Sequence, residues 1–226
     1  MRRKEELATG EVYHVYNKSI ADFKIFNSNS DFLRIKNAIK YYRLKDISVS
    51  LSNFIRFEAV EEQGVGNSIN TLLKDMKELV QIIAYCVMPT HIHLILKQLE
   101  ERGVTIFMGN LLNSYSRYFN IKHKRKGPLW EGNFKSVPVK NDGQLLHLTR
   151  YIHLNPVTAY LVDKPEDWLW SSYNEYLSKI DDGDKICKYN DILDIKLDSY
   201  KKFVEDRIAY QRELGVVKEL LIEEIF

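Results

Sequence analysis

Two histidines separated by one residue, His91 and His93, are the side chains best suited to chemistry in this sequence. They lie in a long stretch without charged residues, 79–96, which reads LVQIIAYCVMPTHIHLIL. Residues i and i+2 of a β-strand point to the same face, so both imidazoles would project side by side from a buried strand. The pair predicts a divalent metal site. The alternative is two strand histidines that face solvent or are satisfied by hydrogen bonds.

The segment 144–158, which reads QLLHLTRYIHLNPVT, supplies a further ligand and a nucleophile for such a site. Tyr151 and Asn155 are four residues apart, so they share one face of a helix. Asn155 would offer its amide oxygen to the metal, and Tyr151 would attack a phosphate that the cation polarises, forming a covalent phosphoester. A helix tyrosine half-buried in the core is the alternative for Tyr151. Because the residue before a proline avoids the α region, Pro156 predicts that Asn155 is the last helical residue.

A basic and aromatic segment, 117–136, lies between these two groups and reads RYFNIKHKRKGPLWEGNFKS. Basic side chains neutralise phosphates, and aromatic rings, here including Tyr118 and Phe119, stack on unpaired bases. The alternative is a solvated loop after a helix C-terminus, where cations are favoured in any case. The residues of this segment that we predict to contact DNA are Arg117, Lys122, Lys124, Arg125, Lys126 and Trp130.

The charge of the chain is divided unevenly along its length. The net charge is +2 overall, but Asp163–Phe226 carries −6 and the residues before it carry +8. A basic body with an acidic tail favours a polyanionic partner for the body.

Composition excludes several other classes of protein. A hydrophobic content of 45% and a charged content of 28% are ordinary for a globular protein. The cysteines, Cys86 and Cys187, form no C-x-x-C pair, which excludes a zinc ribbon and favours a reducing, cytoplasmic setting. The first residues, MRRKEELATGEVYHV, include no apolar run, so we expect no signal peptide. The apolar stretch 79–96 is interrupted by polar residues and Pro89, so we expect no membrane association.

Periodicity predicts an α+β fold with a ferredoxin-like antiparallel sheet and helices on one face. We expect an insertion at about 47–80, with a short strand near 54–60, loop structure at 63–68 and a short helix at 71–79. We also expect an amphipathic helix at 200–210 and an apolar stripe at 214–226. The strands of the sheet are predicted at 11–17, 82–88, 91–97 and 134–139, the last at an edge, and its helices at 32–44, 105–121 and 143–154.

The motifs together resemble a known family, the single-tyrosine HUH transposases. Within that family the pattern is most similar to the REP-associated tyrosine transposases of bacterial chromosomes, and the similarity covers about 10–177. It implies an HUH endonuclease fold over 1–177, followed by an acidic and mostly helical C-terminal extension, 178–226. The resemblance is carried by the order and spacing of YHVYN, AYCVMPTHIHLIL, SRYFNIKHKRKGPLWEGNFKS, RYIHLNPV and DWLWSSYNEYL.

The resemblance also implies a mechanism. His91, His93 and Asn155 would bind Mg²⁺ or Mn²⁺, although two imidazoles and an amide would also suit zinc. Tyr151 would attack a phosphate of single-stranded DNA that carries an imperfect hairpin, giving a 5′-phosphotyrosine link and a free 3′-OH. The protein would act as a DNA transposase in the cytoplasm, as a monomer or homodimer. The resemblance adds Lys18, Lys135 and Arg150 to the predicted DNA contacts.

Several positions depart from the family pattern. Lys18-Ser19 stands where Arg-Gly is common, Thr90 where Asn is common, and Asn133 where Arg is common. Arg and Gly are also usual near Thr158 and Tyr160. Three of these changes remove or weaken a DNA-facing positive charge, so we expect the affinity or the hairpin recognised to differ.

Two other functions are compatible with the same residues. One is a hairpin-DNA-binding protein of this fold that does not cut. The other is a metal-dependent phosphodiesterase that uses activated water and therefore forms no covalent adduct.

Overall fold

A computed structural model of the chain describes residues 7–181, 183–193 and 196–213, and every structural statement below concerns these residues. The strands are β1 (Val12–Lys18), β2 (Val80–Val87), β3 (His91–Gln98) and β4 (Lys135–Pro138). The helices are α1 (Asn29–Tyr42), α2 (Leu51–Phe54), α3 (Glu58–Gln63), α4 (Val65–Asp75), α5 (Gly103–Lys122), α6 (Asp142–Thr158), α7 (Tyr173–Tyr176) and α8 (Leu197–Glu205), with 3₁₀ turns at Ile20–Asp22 and Pro165–Asp167.

The four strands form one sheet in the order β2-β3-β1-β4, and every neighbouring pair is antiparallel. Chain order β1-α1-β2-β3-α5-β4 with this strand order is the ferredoxin-like βαββαβ arrangement. β4 lies at an edge of the sheet. Proline is tolerated in an edge strand, because the N–H that it lacks can face solvent there and is not needed to pair with a second neighbouring strand. The predicted α+β fold with an antiparallel sheet is therefore confirmed.

Apolar and polar side chains alternate along parts of β1 and β3, so the two faces of the sheet differ in composition. Val15, Ile92 and Leu94 are fully buried in the core, whereas His14 and His91, whose side chains point the opposite way, are only partly buried. The face that carries the histidines is thus the one where polar groups can meet a ligand.

The two long helices of the ferredoxin-like unit, α1 and α5, pack against each other. At the start of α1, Asp31 Oδ2 accepts hydrogen bonds from the backbone N–H and the hydroxyl of Ser28, at 3.1 and 2.8 Å, which satisfies donors at the helix N-terminus. α5 begins at Gly103, where a Cβ atom would lie 2.2 Å from the carbonyl oxygen of Leu79. Glycine at this position allows the helix to approach the sheet.

The insertion at 47–80 differs from its prediction. The strand expected near 54–60 is wrong, because this part of the chain forms α2 and α3, and Ser50 caps α2 by accepting a hydrogen bond from Asn53 N–H at 3.3 Å. The loop expected at 63–68 is also wrong, since Gly64 alone separates α3 from α4. Gly64 has φ +81°, a conformation that lets the chain change direction between two helices in one residue.

Helix α6 is longer than predicted, and Asn155 is not its last residue. The helix continues through Pro156 to Thr158, and Asn155 O accepts a hydrogen bond from Ala159 N–H at 2.9 Å. Pro156 and Val157 are buried, so packing stabilises the last turn despite the missing proline N–H. The helix therefore presents Tyr151 and Asn155 one regular turn apart.

The segment after α6 covers the outer edge of β2. Val87 N–H donates to Trp170 O at 2.9 Å, Ser172 N–H donates to Tyr85 O at 2.9 Å, and Lys188 N–H donates to Ile82 O at 2.8 Å. These bonds satisfy an edge that would otherwise be open. They also join residues on both sides of the predicted boundary between 177 and 178.

The C-terminal extension contributes α8, whose residues Tyr200 and Val204 are buried. The helix predicted at 200–210 is thus confirmed in part, because α8 runs from Leu197 to Glu205 and ends before 210. The apolar stripe predicted at 214–226 lies outside the described residues. Within the described part of the chain, no helix is both long and apolar enough to cross a lipid bilayer.

Candidate active site

The histidine pair lies at the start of β3, next to the neighbouring strand β1. Lys18 is the cross-strand partner of His91, and Tyr16 is the partner of His93. The rings of His91 and His93 are 5.1 Å apart between centroids. The two imidazoles therefore stand side by side on one face of the sheet, as their spacing predicts.

A hydrogen bond holds each of these imidazoles by its Nδ1 atom. His93 Nδ1 lies 2.9 Å from His14 Nε2, and His91 Nδ1 lies 2.8 Å from Thr90 Oγ1. If each Nδ1 carries the proton and donates it, Nε2 is the nitrogen available to a ligand. Histidines that bind metals commonly have their second nitrogen held in this way.

Burial keeps the histidines in the form that can bind a cation. It lowers the pKa of His14 to about 4 and also lowers the pKa of His91. The pKa of His93 is well below its usual value, because of burial first and then of the nearby His91 and His14. All three rings are therefore neutral near pH 7, with lone pairs that need not lose a proton first.

Helix α6 places Tyr151 over this face of the sheet. Its ring centroid is 6.0 Å from that of His93 and 6.5 Å from that of His14. The residue is 36% exposed, so part of it can be reached from solvent. Burial of the ring, followed by the nearby Tyr16 and Cys86, raises the pKa of Tyr151. The phenol is therefore protonated at neutral pH and must lose its proton to act as a nucleophile.

Asn155 follows Tyr151 by one helical turn. Its Nδ2 atom is buried and has no hydrogen-bond partner among the described residues. A buried amide without a partner is uncommon in a native protein and is often satisfied by a water or an ion. Because the oxygen and nitrogen of an amide are exchanged by a half-turn, Asn155 can present an oxygen instead.

The donor set fits a divalent cation only if Asn155 takes part. Within the described residues, no group of three or more His, Cys, Asp or Glu side chains is placed to hold a metal ion. The open nitrogens of His91 and His93 with the amide of Asn155 would leave further positions for water or substrate oxygens, as Mg²⁺ sites usually do. Binding of Mg²⁺ or Mn²⁺ stays a prediction.

A cavity of about 510 Å³ opens beside the histidines. Its walls include His91, His93, Lys18 and Lys135, so two of the predicted DNA-binding cations lie next to the predicted metal ligands. Lys18 Nζ is 3.6 Å from a carboxylate oxygen of Asp22 and 3.6 Å from one of Glu131, so its charge is partly compensated.

The other predicted DNA contacts lie in different surroundings. Arg117, Lys124 and Lys126 are exposed on α5 and the loop after it. Lys122 forms an ion pair with Asp31 at 2.7 Å, at the start of α1. Arg125 donates to Asn120 Oδ1 and Pro128 O, contacts that stabilise its own loop.

Trp130 and Arg150 are engaged with the protein itself. The indole N–H of Trp130 donates to Leu112 O at 3.2 Å, and the side chain is only 9% exposed. Stacking on a base would require this ring to leave the core. Arg150 lies over the ring of Phe203, 4.1 Å from its centroid, and contacts His147 Nδ1 at 2.8 Å. Their roles in DNA binding stay predictions.

Two residues at the site were not predicted, His14 and Tyr16. Both belong to the alternating segment of β1, and their positions depend on the pairing of β1 with β3. The sequence contains the signal, since His14, Tyr16 and Lys18 share one strand face. Only the strand register shows that this face adjoins His93.

Comparisons with known proteins agree with the predicted resemblance. Residues 55–155, which include His91, His93, Tyr151 and Asn155, match the family described as "Transposase IS200 like". A curated Haemophilus influenzae protein named as a REP-associated tyrosine transposase is 26% identical over 104 residues. That match covers 42% of this chain and spans 59% of the relative's length.

A solved structure supports the fold independently. It is a REP-associated tyrosine transposase bound to a REP hairpin, with a TM-score of 0.50 and 15% identity, and the match covers 87% of this chain and 95% of that one. At this identity the likeness concerns the fold alone. The resemblance to the IS200-like transposase family that the motifs indicate is confirmed, with the family match lying over residues 55–155.

Proposed function

We propose that this protein is a metal-dependent endonuclease and strand transferase that acts on single-stranded hairpin DNA through Tyr151. The observation that carries the proposal is the position of the Tyr151 ring, 6.0 Å from that of His93, which stands beside His91 and is held through its Nδ1 atom by His14. Relatives named as transposases, and a hairpin bound to a protein of the same fold, support DNA as the substrate.

The chemistry assigned to Tyr151 is a transfer between two phosphoesters. Its hydroxyl oxygen attacks the phosphorus of a DNA phosphodiester, and the bond from phosphorus to the 3′-oxygen breaks. The phenol loses a proton and the departing 3′-oxygen gains one, which leaves a 5′-phosphotyrosine and a free 3′-OH. Because one phosphoester replaces another, the reverse attack by a 3′-OH rejoins DNA without ATP.

The other residues of the site bind and orient the strand. Lys18 and Lys135 neutralise backbone charge at the cavity beside the histidines. His91, His93 and Asn155 would hold Mg²⁺ or Mn²⁺, which when bound stabilises negative charge on the phosphate oxygens. His14 and Thr90 fix the two imidazoles through their Nδ1 atoms.

The test uses hairpin oligonucleotides labelled at one end or the other and incubated with Mn²⁺. The wild-type protein is expected to give a covalent adduct that survives a denaturing gel and carries the 3′-end label, while the 5′-labelled fragment is released. Tyr151→Phe is expected to form no adduct. Tyr160→Phe is the matched control, because Tyr160 is 63% exposed and lies after the end of α6.

The outcomes separate the alternatives. Binding by the wild type without cleavage of any hairpin would favour a DNA-binding protein that does not cut. Cleavage without an adduct, retained in Tyr151→Phe, would favour a phosphodiesterase that uses water. An adduct that persists in Tyr151→Phe would assign the nucleophile to another residue.

A further inference from the structure

A second cavity, smaller than the one beside the histidines, is lined in part by Tyr151. It has a volume of about 250 Å³ and is formed by α6 and by the segment that follows α8. The described residues that line it are His147, Arg150, Tyr151, Arg207, Tyr210 and Gln211. The C-terminal extension therefore reaches the residue that we propose as the nucleophile.

This cavity is basic, and its described lining includes no carboxylate. Arg150 contacts the ring and the carbonyl oxygen of Phe203 and also His147, and Arg207 lies over the ring of Tyr210, 5.4 Å from its centroid. These partners are all uncharged or basic, so within the described residues both guanidinium charges lack a compensating anion. Burial first, and then the nearby Arg207, lowers the pKa of Arg150, as expected for two cations held close together.

A polar group in the wall of the same cavity also lacks a partner. Gln211 Oε1 is buried, and no described residue donates a hydrogen bond to it. A half-turn of the amide would instead present N–H groups at this point. Two guanidinium groups, an imidazole and an amide are a donor set that suits a phosphate group.

We propose that this cavity binds a backbone phosphate next to the one attacked, and that Arg207 of the C-terminal extension is its principal ligand. The inference rests on the proposed function, because it places a DNA strand across Tyr151. The strand would run from the histidines' cavity, past the phenol, to Arg207. The extension would then be part of the DNA-binding surface and would position the strand for attack.

The test measures binding of a single-stranded hairpin oligonucleotide in the Tyr151→Phe background, which prevents cutting. Arg207→Gln is expected to weaken binding about tenfold, the loss of one charge-assisted contact. It is also expected to reduce the slope of log K against log salt by about 0.7, the value for one phosphate of a single strand. Lys202→Gln is the matched control, since it removes the same charge from an exposed position on α8.

Oligonucleotides with one neutral methylphosphonate each then locate the phosphate. A methylphosphonate at one position near the cleavage site is expected to weaken binding to the Tyr151→Phe protein about tenfold. The same methylphosphonate should have no further effect when Arg207→Gln is also present, because the two changes remove the same contact. Arg207→Lys, which keeps the charge, is expected to recover most of the affinity. Equal melting temperatures of these variants would show that the effect is not a loss of fold.

Several results would overturn the proposal. Unchanged affinity and an unchanged methylphosphonate profile in Arg207→Gln would exclude Arg207 as a ligand. Competition by inorganic phosphate that depends on Arg207, together with a flat methylphosphonate profile, would assign the cavity to free phosphate instead of DNA. Failure of the wild type to form an adduct would count against the proposed nuclease function but not against this subsite, which the binding measurements decide separately.

Discussion

His93 and His153 are both buried histidines, one on β3 and one on α6, but they are bonded differently. His153 uses both ring nitrogens: Nδ1 lies 2.7 Å from the hydroxyl oxygen of Tyr200, and Nε2 lies 2.7 Å from Ser172 Oγ. Among the described residues, His93 is hydrogen-bonded through Nδ1, which contacts His14, and none is seen to bond its Nε2. A closed histidine of the first kind joins elements of the fold, whereas an open one can bind a ligand.

The surroundings of the two rings agree with this difference. His153 has no exposed surface and links α6 to α8 and to the segment that covers β2, and its burial lowers its pKa to about 3. His93 lines a cavity of about 510 Å³ and is close to two other histidines. Grouping imidazoles beside a cavity has no evident benefit for packing, so we attribute it to function.

Replacing His93 by alanine should have the largest effect on activity and a small one on stability. Mutation of a residue that only orients a metal ligand typically lowers metal affinity or activity by about 10–100-fold. Loss of the ligand itself should therefore reduce adduct formation by more than about 100-fold. The free energy of unfolding should fall by only about 1 kcal/mol, an ordinary value for a point mutation. Adduct yield and urea denaturation measure the two quantities. Near-normal adduct yield would exclude His93 as a metal ligand.

Replacing His153 by alanine should have the opposite pattern. The change leaves a cavity and removes a partner from Tyr200 and from Ser172, so we expect a loss of about 3–5 kcal/mol in the free energy of unfolding. At a temperature where the variant is folded, the adduct yield per folded molecule should stay close to that of the wild type. If His153→Ala instead unfolds like the wild type but forms no adduct, the division into closed and open histidines is wrong.

The stabilisation of the folded state by Mn²⁺ should also distinguish His93 from His153. A ligand at 100 times its dissociation constant stabilises the folded state by about 2.7 kcal/mol. We expect this stabilisation in the wild type and in His153→Ala, and its absence in His93→Ala. Thermal unfolding with and without Mn²⁺ gives the result. Equal stabilisation of all three proteins would place the ion elsewhere.

Local patterns in the sequence were sufficient for the parts of the site that lie on one element. The spacing of His91 and His93 depends only on the two-residue period of a strand, and that of Tyr151 and Asn155 only on the helical turn. The structure has both pairs as predicted. The order of strands and helices was likewise sufficient for the ferredoxin-like sheet.

Features that depend on contacts between distant segments could not be predicted in the same way. His14 lies 79 residues before His93, and their hydrogen bond depends on the register of β1 against β3. The position of Arg207 beside Tyr151 likewise depends on how the C-terminal extension packs on α6. Trp130 has the residue type of a stacking platform, and only its packing shows that it is a core residue.

Some local predictions were wrong because tertiary packing or capping outweighed a weak preference. Pro156 does not end α6, since the burial of Pro156 and Val157 stabilises the helix as far as Thr158. The apolar and β-branched residues near 54–60 favour a strand, but a serine cap and the reversal at Gly64 produce helices there. Such segments lie outside the sheet, where no strand partner selects the extended conformation.

The smallest effect that we predict concerns His14, which we expect to act on the metal only through its contact with His93. His14→Val keeps a residue suited to a strand but removes the Nε2 atom that contacts His93 Nδ1. The His93 ring is then free to turn or to change its tautomer. We expect Mn²⁺ to bind about 10–100-fold more weakly, as for other partners of metal-binding histidines. Titration calorimetry measures the affinity, and excess Mn²⁺ should restore most of the adduct yield.

That recovery at high Mn²⁺ distinguishes a residue that orients a ligand from the ligand itself, since His93→Ala should not recover. His14→Gln offers a further control, because its amide oxygen can accept the same hydrogen bond. If His14→Val binds Mn²⁺ as tightly as the wild type, the contact between His14 and His93 serves the packing of β1 on β3. In that case the difference between His93 and His153 would lie only in the Nε2 atom, which is bonded in His153 and available to a ligand in His93. The hydrogen bond to Nδ1 of His93 would then have no part in metal binding.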